Sequence, residues 1–263
     1  MADPRTGDVA EAERLLAQAA YEGAAKLPAL SAAELWVLCG DRQVLADETE
    51  SRWWAAMSEP DRERLRTAML DFLADRGLLR RAGEIGAAED AAAVDPPVMP
   101  MTPELALIVA ARQQPGVVAV ATTADGSAEG TPRMFGLAES ERPPRAIVSE
   151  YISDKETKPF GRLHHFSLLS AERAGHALAT WATEQGGGRL LGRRGKDRRR
   201  IVDFYRSQFG APITRDRVIV SPGSGGSHEV SRQRPDTVPE PPVARDREEL
   251  ASMLTATLTG DVS

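Results

Sequence analysis

The sequence has a single cysteine, so no disulfide can close within the chain and no cage of cysteines can hold a metal. Cys39 sits in the apolar run LWVLC, where a buried, unreactive thiol is expected, because its flanks supply neither the base nor the positive field that activates a thiolate. No apolar stretch is long enough to cross a bilayer, and the N-terminus, MADPRTGDVAEAERLLAQAA, lacks the basic and apolar segments of a signal peptide. A cytoplasmic location follows as the expectation. Also missing are a G-x-S-x-G elbow, an H-E-x-x-H helix and paired cysteines, which sets aside the common hydrolase and zinc classes. Gly195-Lys196 lacks both the earlier glycine and the following hydroxyl of a P-loop, so no cofactor is expected. A net charge of −6 disfavours nucleic acid as a partner of the whole chain.

What the chain does contain is a sharp change of period. Its first part reads as helices: residues 11–26 with Leu15, Leu16 and Ala19 as an apolar stripe and Pro28 beyond the end, then a helix opened by the capping box Ser31-x-x-Glu34. An aromatic segment with Trp53 and Trp54 follows, whose rings are expected to anchor this region to the body. The next helix, opened by Ser58, carries Leu65, Met69, Phe72 and Leu73 on one face up to Gly77. Residues 82–101 are small, acidic and proline-rich, the composition of a linker. A fourth helix starts at Thr102-Pro103-Glu104 and turns Leu105, Ile108 and Val109 inward.

From Pro115 the pattern becomes extended. Val117–Thr122, Arg133–Ala138, Ala146–Ile152 and Leu163–Leu169 are short apolar runs joined by polar Gly-, Pro- and Asp-rich links, which predicts an antiparallel four-stranded meander. A helix capped by Ser170 covers one of its faces. The segment RRRIVDFYRSQFG reads as a further helix with Ile201, Val202, Tyr205 and Phe209 along one side, ending at Gly210. Val218–Ser221 and His228–Arg232 form a second hairpin around PGSGGS, and a last helix carries Leu250, Met253, Leu254 and Leu258. Helix, strands, helix therefore recurs twice in outline. The fold class is α+β: a helical region, 1–81, winged-helix-like in its RGLLRR ending, then the linker 82–101 and an antiparallel sheet domain, 102–263, able to pack with 1–81 as one unit.

Several residue groups are candidates for function. His164 and His165 are adjacent on a strand, so they point to opposite faces and cannot jointly chelate one ion; a hydrogen-bonded structural histidine is the commoner use of such a residue. His176, on the following helix, could approach one of them, but no third, acidic ligand is evident. Glu150 beside Tyr151, and Glu229 beside His228, could be cast as acid–base pairs, but carboxylates at strand edges are usually only solvated. The polar link between the third and fourth strands, with Ser153, Asp154, Lys155, Glu156, Lys158 and Phe160, can present its tip to a protein partner. The cluster Arg189, Arg193, Arg194, Lys196, Arg198, Arg199 and Arg200 is the densest charge in the chain; it reads as a solvated loop or as a contact for an anionic partner.

The order of these parts resembles the EspG family of cytosolic chaperones associated with type VII secretion. The likeness runs through RGLL at residues 76–79, MTPELALIVAAR, the A-R-x-x-P spacing from Ala111 to Pro115, and PVARDREELASMLTATL. The histidine pair, the FSLLS strand and RRGKDRRR depart from that pattern. The resemblance implies a pseudo-symmetric α+β fold, a central antiparallel sheet between helical bundles, and recognition of secreted proteins through a sheet-and-loop surface. On that footing the expected function is a non-enzymatic adaptor or chaperone; the alternatives are a winged-helix-like DNA-binding regulator and an enzyme with an unfamiliar site.

Overall fold

The computed structural model describes residues 4–79, 101–124, 132–137, 146–153, 161–184, 199–206, 214–234 and 237–260. Helix α1 (Pro4–Glu22) ends where Gly23 adopts φ +78°, a conformation L side chains avoid, and does not continue to Lys26 as its pattern suggests. Residues freed by that turn become β1 (Ala24–Lys26), followed by β2 (Leu30–Ser31). Leu15 and Ala19 are buried, whereas Leu16 is exposed, so the stripe of α1 is narrower than its sequence suggests.

Helix α2 (Ala32–Cys39) begins with the expected capping box, Ser31 and Glu34 each closing the other's backbone N–H. Glu34 is itself buried and paired with Arg76 at 2.5 Å, so its carboxylate serves both the cap and the packing of α2 against a later helix. Beyond a short 3-10 turn come α3 (Glu48–Ala56), capped by Asp47, and α4 (Glu59–Asp75), capped by Ser58. Trp54 stacks on Trp36 with ring centroids 5.4 Å apart, which is the anchoring expected of this aromatic segment. On α4 only Leu73 is fully buried; Phe72 lies half exposed beneath the Arg76 guanidinium. Leu79 bridges Met101, and α5 (Pro103–Gln113) starts from its Thr102 cap.

The meander forms as β3 (Pro115–Thr123), β4 (Arg133–Leu137), β5 (Ala146–Ser153) and β6 (Leu163–Ser170), and α6 (Ala171–Thr183) follows from its Ser170 cap. One expectation fails. Residues 200–206, predicted as a helix, form β7 (Arg200–Arg206), which pairs antiparallel with both β3 and β8 (Thr214–Pro222). Ile201, Val202 and Phe204 are β-branched or aromatic, and Val202 and Phe204 are buried on one side while Asp203 lies on the other, a period of two that a helix cannot satisfy. The sheet then runs through β9 (His228–Gln233) to β10 (Val243–Arg245), and α7 (Arg247–Thr259) closes the fold.

Ten strands thus form one antiparallel sheet in the order β1-β6-β5-β4-β3-β7-β8-β9-β10, with β2 also on β6. The chain writes one pattern twice, since β3–β6 and then α6 are matched by β7–β10 and then α7. Because β3 pairs antiparallel with β7, the two units are related by an approximate two-fold axis between those strands. Both helices lie on one face, over Ala119, Met134, Ile147, Val202, Phe204 and Val218. The opposite face of the first unit is covered by the N-terminal helices, where Leu15, Leu35, Leu73, Leu105 and Ile108 meet Phe135, Val148 and Phe166. Strands β3 to β6 are buried on both sides over much of their length, short of Tyr151 and His165, which is why they read as nearly continuous apolar runs and not as alternation.

The two helices come into close contact at Gly175. A Cβ there would overlap the Thr255 hydroxyl and lie 2.8 Å from the Ala251 carbonyl oxygen. Gly175→Ala is therefore expected to cost about 1–3 kcal/mol in urea unfolding, despite alanine's better helix propensity. Adding Thr255→Ala should recover only part of that loss, since the backbone contact remains.

Candidate functional site

The two adjacent pairs singled out in the sequence, Glu150-Tyr151 and His164-His165, lie on neighbouring strands and are split between the faces of the β5–β6 hairpin. Glu150 and His164 face the N-terminal helices and are fully buried. Tyr151 and His165 pair across the strands on the other face, both exposed, with ring centroids 6.3 Å apart.

The buried side is an ion network. The Arg112 guanidinium, from the last turn of α5, donates to Glu150 Oε2 at 3.0 Å and to Gln43 Oε1 at 2.6 Å. Glu150 Oε1 lies 2.6 Å from His164 Nδ1, and His164 Nε2 lies 3.2 Å from Glu50 Oε1 on α3. Arg133, directly opposite Glu150 on β4, reaches its carboxylate at 3.7 Å and donates to the Leu45 carbonyl. Two carboxylates bound to the two ring nitrogens call for two N–H donors, so His164 is an imidazolium here. Its charge and that of Arg112 balance Glu50 and Glu150, and such pairing is what makes burial of four charges tolerable.

The titration behaviour follows. Burial works against both ions, but Arg112 first, then the His164 hydrogen bond, hold Glu150 down at about 2. For His164 burial favours the neutral ring, yet its hydrogen bonds to Glu150 and Glu50 override this and raise its pKa above the ordinary 6.5. Cys39, close to the same network, is pushed up to about 11, chiefly by burial, which makes it the inert thiol its sequence context suggests.

The network's polar groups are spent largely on one another. Every carboxylate and both imidazole nitrogens are engaged, and among the described residues no group of three His, Cys, Asp or Glu side chains is arranged to hold a metal. His176 lies apart, with Nδ1 3.7 Å from Glu248 on α7, and approaches neither of the other two histidines. What the network does is fix the end of the β5–β6 hairpin to α3. A second tie helps: Arg162, just after the hairpin tip, lies 3.3 Å from Asp47, the cap of α3.

Of the proposed partner contacts, Ser153 is the half-buried last residue of β5; Asp154, Lys155, Glu156, Lys158 and Phe160 lie outside the described residues. The same is true of Arg189, Arg193, Arg194, Lys196 and Arg198. Arg199 and Arg200 are placed where β7 begins: the Arg199 carbonyl accepts from Ala124 N–H, and the Arg200 guanidinium lies 4.8 Å from the centre of the Trp181 ring. Glu150, expected to be solvated at a strand edge, is instead the centre of the network, because the helical layer covers its strand. Sequence reasoning missed Arg112, Glu50 and Gln43 altogether. The one signal was Arg133 opposite Glu150, which the meander register alone implies.

The chain matches no protein-family model, and comparison with curated proteins and with solved structures gives no match. Among the described residues no helix is long and apolar enough to cross a membrane.

Two outcomes test the network. Arg112→Met leaves Glu150 buried without its strongest counter-charge and should cost about 3–5 kcal/mol in denaturant unfolding. Stability against pH should fall at both ends: His164, raised, contributes fully below about 6.5 and less as pH climbs through its folded value. Glu150, lowered to about 2, contributes above its ordinary 4.5 and loses that contribution as pH drops toward 2. In Glu50→Gln the folded-state pKa of His164 should fall back toward its ordinary value, so the alkaline loss, which starts near 6.5 in both proteins, should be smaller and complete at lower pH, read as the urea midpoint across a pH series.

Proposed function

We propose that this protein is a non-enzymatic adaptor that holds a protein partner at the free end of the β5–β6 hairpin, in the manner of the secretion chaperones its sequence resembles. The observation that carries this reading is the division of labour across the hairpin. One face is clamped to α3 by His164 and Arg162 and to α5 by Glu150, while the other displays Tyr151 and His165, with half-buried Ser149 and Ser167 and exposed Lys26 on the next rung. A binding surface gains from such a support, since residues already held in place lose less freedom on association. Tyrosine suits an anchor, with large amphipathic area and few rotatable bonds. The polar residues 154–160 join the two strands in sequence, so partner contact would run on from Tyr151 and His165 into them. In a cell, holding a partner in this way would keep its apolar surface covered until delivery. The pairing of the buried carboxylates and of both His164 nitrogens speaks for positioning over catalysis.

The test is affinity purification from the native cell with the wild type and with the double variant Tyr151→Ala, His165→Ala. The wild type should retain one protein in stoichiometric amount, and the variant, with unchanged circular dichroism, should retain at least about tenfold less, as expected when an interface anchor is lost. Equal recovery by both proteins would remove the hairpin from the interface.

A further inference from the structure

Each covering helix is flanked by a groove: beside α6 it is closed by the end of α1 and by Leu169 and Ser170 at the end of β6, beside α7 by β9, β10 and the link between them. The groove beside α6 is lined by Ala177, Thr180 and Trp181, that beside α7 by Met253, Ala256 and Thr257, and these are matching turns of the two helices. Their charges differ. Along α6 three carboxylates, Glu22, Glu172 and Glu184, accompany Arg173. The groove beside α7, a cavity of about 310 Å³, contains Arg232, Arg234 and Arg245 and a single carboxylate, Glu240.

Strand alternation explains how that cavity is built. Val230 of β9 and Val243 of β10 are direct cross-strand partners and form an apolar floor. Two residues along each strand, on the same face, come Arg232 and Arg245; because the strands are antiparallel, these guanidiniums stand at opposite ends of the floor. The positive charge is only partly answered. Arg232 Nη2 is paired with Asp216 at 2.7 Å, but its buried Nε has no acceptor, and Arg234 comes no nearer than 4.0 Å to Glu240. At the other end His228, opposite Arg245, has its Nδ1 buried without a partner. Three guanidiniums against two carboxylates leave one positive charge over, in a chain whose net charge is −6.

We infer that the groove between α7 and the β9–β10 edge binds a monoanionic carboxylate carried on an apolar body, the carboxylate taken by the arginines and the body lying on Val230, Val243 and Met253. Guanidinium forks match a carboxylate in two parallel hydrogen bonds, and unpaired buried donors are costly until an acceptor arrives. One surplus charge fits a monoanion, and a volume of about 310 Å³ lies at the small end of ligand sites. The same chemistry could be offered by a free small acid or by the C-terminus of a peptide. This inference stands independently of the partner site on the β5–β6 hairpin, which lies at the far side of the sheet.

The experiment is a titration of the full chain followed by ¹H–¹⁵N chemical shifts, with octanoate, octanol, and a short apolar peptide in free-acid and C-terminally amidated forms. Octanoate should shift Val230, Val243 and Met253 and octanol should not; if only the free-acid peptide shifts them, the carboxylate comes from a chain terminus and the site stands. Arg234→Gln with Arg245→Gln removes an exposed and a half-buried arginine whose one nearby carboxylate, Glu240 at 4.0 Å from Arg234, is itself exposed, so the fold should persist while affinity drops about tenfold or more. Octanol binding as well as octanoate, shifts confined to the groove beside α6, unchanged affinity in the double variant, or no shift with any of the probes would overturn the assignment.

Discussion

Burial of an ion chain that can be satisfied in only one arrangement is the constraint on which the N-terminal half depends. Arg112 comes from α5, Glu150 and His164 from adjacent strands, Glu50 from α3 and Gln43 from the turn before it. An apolar contact would tolerate sliding of one layer over the other, whereas a displaced ion here would be left unpaired in a medium of low dielectric. The pairing need not add net stability over a well-packed apolar core. Its effect is specificity: α3, α5 and the sheet have one register relative to each other, and the exposed face of the hairpin inherits that rigidity.

The second half of the molecule is held differently. Around the two-fold, α6 and α7 pack on each other and on a wholly apolar face, with Gly175 allowing close approach. On the opposite face of the second unit buried Asp203 accepts from both Arg215 and Arg217, whose partly exposed side chains stand where the first unit has its helical cover. The repeat is thus one of topology, and the two units have diverged in what their surfaces meet. That divergence is visible again in the paired grooves, acidic beside α6 and arginine-lined beside α7.

The titratable groups of the buried network are held away from any open surface. Reactive sites keep a titratable group open to a ligand, with its pKa drawn toward the working pH. Here burial and pairing drive the titrations of Cys39 and Glu150 far from neutrality and leave His164 with no free nitrogen. The exposed chemistry is instead aromatic and polar on a supported hairpin, with arginine and valine at the opposite edge.

Local physics was readable from the chain alone. The capping box at Ser31 and Glu34, the caps at Ser58, Thr102 and Ser170, and the meander from Pro115 to Ser170 depend on neighbours in sequence and on hairpin links. Arg200–Arg206 departs from its helical pattern although Ile201, Val202 and Tyr205 also suit a helical stripe; the vacant edge of β3, distant in sequence, together with the neighbouring β8, selects the strand. Arg112, at the end of an ordinary amphipathic helix, looks like a solvated cation that favours the helix C-terminus. Its burial, and that of Glu50 and Glu150, was decided when α3, α5 and the β5–β6 hairpin came together, since a charge's partner is set by distance in space and the sequence records only distance along the chain.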